Sequence, residues 1–98
     1  MKNLSNERQA LYNQIFGLVK NSPIKTIEFQ GNTYHFKLDY LLPYGECHYA
    51  RVFSKLIYLK ECLGIIQPGD TLLETTSGSG GRAAAAVATA LGYKIKIA

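Results

Sequence analysis

The residues with the most chemistry in them are Thr75-Thr76-Ser77-Gly78-Ser79-Gly80-Gly81. Four hydroxyl side chains and three glycines lie in the last residue of the stretch Thr71-Leu72-Leu73-Glu74-Thr75 and in the loop Thr76–Gly81, ahead of an alanine-rich run over 82–91. The first flank reads as a short, mostly apolar strand. The second reads as a helix, because alanine is the best helix former. A helix N-terminus leaves about four backbone N–H groups without intrahelical partners and carries a partial positive charge. Glycines let the chain turn tightly and let a ligand approach the backbone. The hydroxyls add donors, so the segment reads as a site for a carboxylate or a phosphate. It lies outside the carboxyl end of a strand, where open α/β sheets bind ligands. It is not a Walker A loop, since no Gly-Lys-Ser/Thr closes it. Nor is it a dinucleotide fingerprint, which needs an acidic residue about twenty positions on. Without a ligand, the same residues would make a capped glycine-rich turn.

The other reactive side chains are His48, Cys47 and Cys62. His48 can serve as an acid or base, or simply as a polar residue at a helix start. Neither cysteine belongs to a CxxC pair, and their separation fits no zinc signature. Cys62 falls in an apolar helical stretch and reads as core. Cys47 lies near a loop and reads as a free thiol or a buried, inert one. With no disulfide framework, a reducing cytoplasm is the default.

These residues need elements to hold them. Ser5 can cap a helix, with Arg8 at the third position in place of the Glu of a full capping box. Ala10, Leu11, Ile15, Phe16, Leu18 and Val19 then follow helical spacing. Asn21-Ser22-Pro23 ends it, since proline disfavours a helical residue before it. Residues 24–29 and 33–38 alternate as strands around the turn Gln30-Gly31-Asn32, predicting a β-hairpin. Residues 40–45 form a loop. A second helix is predicted from Cys47 to Leu63, with Gly64 as its stop. After the Pro68-Gly69 turn come a strand, the Ser/Gly loop, a helix over 82–91 and a strand over 93–98.

A crossover of that length implies two parallel strands in a right-handed unit. The fold class is therefore α/β: a partial three-layer parallel-sheet unit (β–loop–α–β) preceded by an N-terminal helix and a β-hairpin. It is read as a single partial domain over 1–98, with 1–21 as the N-terminal helix. Parallel sheets normally have both faces covered, and so few elements cover little. The chain is thus expected to belong to something larger, through a further protein chain or a missing C-terminal part.

The 98 residues are 47% hydrophobic and 18% charged, a globular composition. At this length one compact domain is the most expected, with a thin stability margin. Net charge is +4, from 11 Lys and Arg against 7 Asp and Glu. The cations are scattered, which argues against a nucleic-acid arm. No apolar run is long enough to span a bilayer or to serve as a signal core, so a soluble protein is expected.

Three stretches together resemble the pyridoxal-phosphate enzymes of the tryptophan-synthase-β superfamily (fold type II), in particular its cysteine synthase-like branch. Phe36-Lys37-Leu38-Asp39-Tyr40-Leu41-Leu42-Pro43-Tyr44-Gly45 is similar to the family's Lys-Leu-Glu-x-x-Asn-Pro-x-Gly segment. Leu63-Gly64-Ile65-Ile66-Gln67-Pro68-Gly69-Asp70-Thr71 resembles its Gly-x-(Leu/Ile)-x-Pro-Gly-Asp-Thr turn. Glu74-Thr75-Thr76-Ser77-Gly78-Ser79-Gly80-Gly81 is similar to Glu-x-Thr-Ser-Gly-Asn-Thr-Gly. Order and spacing agree from about Ser22 onward.

The resemblance implies pyridoxal phosphate as cofactor and β-replacement or elimination on an amino acid as parent chemistry. It places the substrate carboxylate on Thr76, Ser77 and Gly78, with Gly80 and Gly81 keeping the backbone donors of the loop. Ser79 takes the place of the family's Asn, which contacts the cofactor ring oxygen. The family's Ser-x-Lys-Asp-Arg, whose Lys forms the Schiff base, is here Glu46-Cys47-His48-Tyr49-Ala50-Arg51. If Arg51 matches the family Arg, Tyr49 fills the lysine slot. One extra residue before Arg51 makes His48 the alternative occupant. Neither makes an imine, and Lys55 lies about 6 Å beyond Arg51 along the helix. No catalytic residue is assigned, covalent cofactor binding is not expected, and the chain reads as inactive alone. The family's phosphate-cradling glycine loop and second domain fall beyond these residues. The alternative reading is a non-catalytic module for a small anion or a protein partner.

Overall fold

Helix α1 (Asn6–Val19) opens where the capping signal predicts: the Ser5 Oγ accepts the Arg8 amide at 3.2 Å. Its buried stripe is Tyr12, Ile15 and Val19. Strands β1 (Ile24–Phe29) and β2 (Asn32–Lys37) pair antiparallel, Ile24 opposite Lys37 and Phe29 opposite Asn32. Their two-residue turn puts Gln30 and Gly31 at φ 49° and 77°. Positive φ at both central residues matches the right-handed twist of a hairpin. A 3-10 turn at Asp39–Leu41 leads to α2 (Tyr49–Cys62). Gly64, at φ 75°, closes that helix in the left-handed conformation.

This computed structural model describes residues 2–75 and 78–98. Strand β3 (Thr71–Glu74), helix α3 (Ser79–Ala90) and strand β4 (Lys94–Ile97) complete it. β3 and β4 pair in parallel, Thr71 opposite Lys94 and Glu74 opposite Ile97. The α/β class, the hairpin and the parallel β–α–β unit are as expected. Two helix starts differ from expectation. α3 begins at Ser79 rather than Arg82, so the last glycines of the Ser/Gly segment are helical. α2 begins at Tyr49 rather than Cys47, after a loop in which Tyr44, Gly45 and Glu46 all have positive φ.

The helices lie on one side of the β3–β4 pair. Leu72 and Ile95 face them and pack on the core, whereas Thr71, Leu73, Lys94 and Lys96 are exposed on the other side. α3 can sit close because its buried positions are small: Gly81, Ala83, Ala84, Val87 and Ala88. The hairpin is exposed at every strand position and, among the described residues, packs on no helix and no other strand, meeting the body only at its base, where Lys37 reaches Asp39 at 4.0 Å. The molecule is therefore drawn out, 54 × 32 × 18 Å, rather than compact. Its radius of gyration is 16.0 Å, against about 13 Å for a compact chain of this length.

At the centre sits a buried carboxylate, Glu61, on the last turns of α2. Arg8 grips it with both arms of its guanidinium, Nη2 to Oε1 at 2.6 Å and Nε to Oε2 at 3.2 Å. The Tyr12 and Tyr93 hydroxyls donate to Oε1 at 3.1 and 2.5 Å. Arg8 Nη1 also donates to the Leu91 carbonyl at 2.7 Å, capping the end of α3. One carboxylate so ties α1, α2, the end of α3 and the start of β4. Burial pushes the Glu61 carboxyl up, but the hydrogen bonds from Arg8, Tyr93 and Tyr12 together hold it below its ordinary value. Burial first, and the Glu61 charge next, raise the Tyr12 hydroxyl far above its ordinary value. Burial and the hydrogen bond to Glu61 do the same for Tyr93.

Because Glu61 is depressed in the fold, its contribution is full above the unfolded carboxylate range, near about pH 4.3, and is lost as pH falls through the folded value. Arg8→Ala leaves that charge buried without its cation. Urea melts at neutral pH are expected to show a loss of about 2–4 kcal/mol. That loss should shrink as pH falls, because without Arg8 burial raises the Glu61 carboxyl and its protonation then favours the fold. A variant as stable as the parent would remove Glu61 from the centre of the fold.

Candidate functional site

α3 presents its N-terminus at the carboxyl end of β3. Gly78, the residue before the helix, has an extended backbone, and its carbonyl accepts the Gly81 and Arg82 amides at 3.0 and 3.4 Å. Twelve helical residues stand behind this end, so the partial positive charge of an aligned helix is developed there. Ser79 is exposed, Gly80 half-buried and Gly81 buried. Of the three, Ser79 and Gly80 face accessible space, while Gly81 is committed to packing. Thr76 and Ser77, assigned to the substrate carboxylate from sequence, lie outside the described residues.

The loop before α2 lies against the first turns of α3. A Cβ on Gly45 would stand 2.7 Å from the Ala83 Cα and 2.8 Å from its nitrogen, so only glycine lets the two backbones come this close. Arg82 Nε donates to the Gly45 carbonyl at 3.1 Å, holding a cation near the α3 N-terminus. The buried Cys47 thiol faces the Ser79 carbonyl at 3.6 Å. The described residues 78–81 and the segment 43–51 are thus adjacent in space.

His48 and Tyr49 sit at the start of α2 with their rings in contact, tilted by 32°, centroids 4.4 Å apart. Both are exposed. His48 Nδ1 is 3.6 Å from Asp39 Oδ2, an ion pair when the ring is protonated. Asp39 belongs to a polar joint at the base of the hairpin. Its Oδ1 accepts a very short hydrogen bond from Ser22, whose Oγ accepts Arg51 Nη2 at 2.7 Å. Arg51 Nε donates to the Val19 carbonyl at 2.5 Å, so the same guanidinium holds the end of α1. The Ser22 hydrogen bond, against a small opposing desolvation, keeps the Asp39 carboxyl below its ordinary value, with help from Lys37, Arg51 and His48.

By resemblance, His48 or Tyr49 occupies the slot of a cofactor-binding lysine. In the structure the Cys47 thiol of this segment reaches the Ser79 carbonyl of α3, while His48 and Tyr49 are exposed. Nothing local marks that: the contact exists only because α2 and α3 pack together. Nor does the sequence announce the Ser22–Asp39–Arg51 joint, whose members come from three separate segments. Lys55 lines the groove between α1 and α2, and Lys37 reaches Asp39 at 4.0 Å from the hairpin. Around the α3 N-terminus the described residues offer backbone N–H groups, a guanidinium, a thiol and a hydroxyl. That set fits an anion and does not fit covalent attachment of an aldehyde cofactor, which needs a free amine. Among the described residues no cluster of three metal-ligating side chains occurs.

No protein-family model matches the chain. One curated protein, O-ureido-L-serine synthase of Streptomyces lavendulae, is 31% identical to it over 87 residues, which cover 86% of this chain and 26% of that protein. A crystal structure of O-ureido-L-serine synthase superposes with a TM-score of 0.74 at 29% identity, covering 85% of this chain and 27% of the other. The chain spans about a quarter of the length of these relatives. Over that portion the likeness supports the pyridoxal-phosphate superfamily resemblance, and with it a cofactor implied by family.

The close approach at Gly45 is the feature of this site that substitution tests most simply. Gly45→Ala combines a left-handed φ of 102° with a backbone overlap on Ala83. An equilibrium melt is expected to show a loss of about 3 kcal/mol. A neutral result would mean that the loop does not rest on α3 in solution.

Proposed function

We propose that this chain is a diverged portion of a cysteine synthase-like, pyridoxal-phosphate-dependent enzyme. On this reading it retains the substrate-carboxylate side of the site and has given up covalent anchorage of the cofactor. The observation that carries the proposal is the seating of 43–47 on α3, where Cys47 meets Ser79 and no lysine amine is placed. The parent chemistry is β-replacement or elimination on an amino acid, in keeping with the relative's name. In this chain the backbone N–H groups at 79–80 hold the carboxylate, and Arg82 adds positive charge beside them. Thr76 and Ser77 supply hydroxyl donors, and Ser79 stands where the family contacts the cofactor ring. His48, oriented by Asp39, is an acid–base group without an assigned step. With Tyr49 or His48 in the place of the Schiff-base lysine, the chain alone is inactive on this reading. Its place is the reducing cytoplasm, in keeping with two free thiols; no helix among the described residues is long and apolar enough to cross a membrane.

A second reading, a binding module for a protein partner, is favoured by the amount of apolar surface left uncovered. Leu73, Ile65, Tyr40, Ile24 and Phe29 are all more than half exposed.

Calorimetry with L-serine, O-acetylserine and inorganic phosphate separates the two. The enzyme-derived site predicts heat with the amino acids and less with phosphate. Mixing the chain with pyridoxal phosphate should produce no stoichiometric, borohydride-reducible imine at a single residue. Such an imine, mapped by peptide mass, would restore ordinary catalysis. No heat with either amino acid would leave only the partner-binding reading.

A further inference from the structure

Residues 43–47 cross the first turns of α3 as a strap between two buried anchors, Leu42 before it and Ala50 after it. Three contacts hold the strap down. The Tyr44 side chain packs against the core. Arg82 Nε donates to the Gly45 carbonyl at 3.1 Å, and the Cys47 thiol donates to the Ser79 carbonyl at 3.6 Å. No backbone–backbone hydrogen bond joins 43–47 to another described residue.

The strap itself works against this closure. Tyr44, Gly45 and Glu46 hold φ of 61°, 102° and 58° in succession. Left-handed backbone is costly for a residue with a Cβ, so Tyr44 and Glu46 each carry that cost. Residues held in this way persist only where their surroundings over-determine them, and they gather at clamps and switches. A hollow of about 580 Å³ adjoins the strap, lined in part by Tyr40, Leu41, Pro43, Glu46, Arg82 and Ala86, so that side is not packed in. Few contacts, a costly backbone and space to move into place a segment at the low-stability end of a fold.

We propose that 43–47 is a latched strap that lifts off α3 as one unit, with its hinge at 44–46 and the Arg82–Gly45 hydrogen bond as its latch. Closed, it buries the Cys47 thiol against α3. Lifted, it exposes that thiol and the Ser79 carbonyl and frees the Arg82 guanidinium. The proposal uses contacts within the chain alone, so it stands or falls apart from the functional reading.

The two free cysteines provide the test in one molecule. Both are buried, Cys47 under the strap and Cys62 at the far end of α2. The full chain is treated with iodoacetamide at neutral pH and low urea, and each site is followed by peptide mass. Cys62 should react only as the whole fold opens, with a steep urea dependence. Cys47 should react at least about tenfold faster with a shallow one, since a local opening exposes little surface. Arg82 is exposed, and a cation in the first turn of a helix is opposed by the dipole, so Arg82→Ala removes the latch without weakening α3. It should speed Cys47 about fivefold and leave Cys62 unchanged. Glu46→Asn puts a residue at ease in the left-handed region and should slow Cys47 about threefold. A nearby cation favours a thiolate and a nearby anion disfavours it, so the change of charge alone would move both rates the other way. Equal rates and equal urea dependence at the two cysteines overturn the proposal. So does a fast Cys47 that ignores Arg82→Ala, which is a thiol reached through a fixed opening. A Cys47 as reactive as in the urea-unfolded chain overturns it too, because the strap is then never closed.

Discussion

Glu61 is the constraint on which the rest of this structure depends. A carboxylate buried to this degree persists only if its partners offset desolvation. Here they are a two-armed guanidinium and two hydroxyls, drawn from α1 and from the start of β4. Charge-assisted, two-pronged contacts of this kind fix orientation as well as proximity. Through Arg8 the same cluster takes up the Leu91 carbonyl, so the C-terminal end of α3 carries a cation where its dipole is negative. The buried core is small: Tyr12, Ile15, Val19, Ile57, Val87, Leu91 and Tyr93 are its larger side chains. In so small a core, a polar cluster that locks four elements sets how the helices stack.

That stacking determines the site. With its far end fixed by Arg8 and its flank of glycine and alanines against α2, α3 can place its N-terminus in only one position. The loop before α2 then meets it by backbone contact at Gly45 and by the Cys47 thiol. A second polar joint, Arg51–Ser22–Asp39, holds the base of the hairpin to the end of α1 and the start of α2. The body is thus organised by two hydrogen-bonded joints, one at each end of α2. The hairpin hangs from the second with its apolar face uncovered.

Local chemistry made much of this legible. The Ser5 cap, a turn within Gln30-Gly31-Asn32, the Gly64 stop and the β–α–β crossover each follow from residue types at fixed offsets, and the structure has them, with Asn32 already in β2. The helix start at Ser79 was not legible, because two glycines argue against helix and only packing on α2 overrides them. Glu61 was invisible for a different reason. It is a charged residue on an amphipathic helix, and its partners lie 32 to 53 positions away. Tyr44 and Glu46 hold positive φ without being glycine, so the bend that turns Cys47 toward α3 had no sequence signal. The Ser/Gly composition leading into α3 was legible. The Cys47 contact beside it was not.

Whether the N-terminus of α3 holds an amino-acid carboxylate is open to direct observation by an amide-resolved NMR titration of the intact chain with L-serine. Carboxylate binding there requires saturable shifts concentrated at the amides of Ser79 and Gly80, with a smaller response at Gly45, which shares the Arg82 contact. Unmoved amides at the start of α3, or shifts gathered around the α1–α2 groove instead, would contradict it.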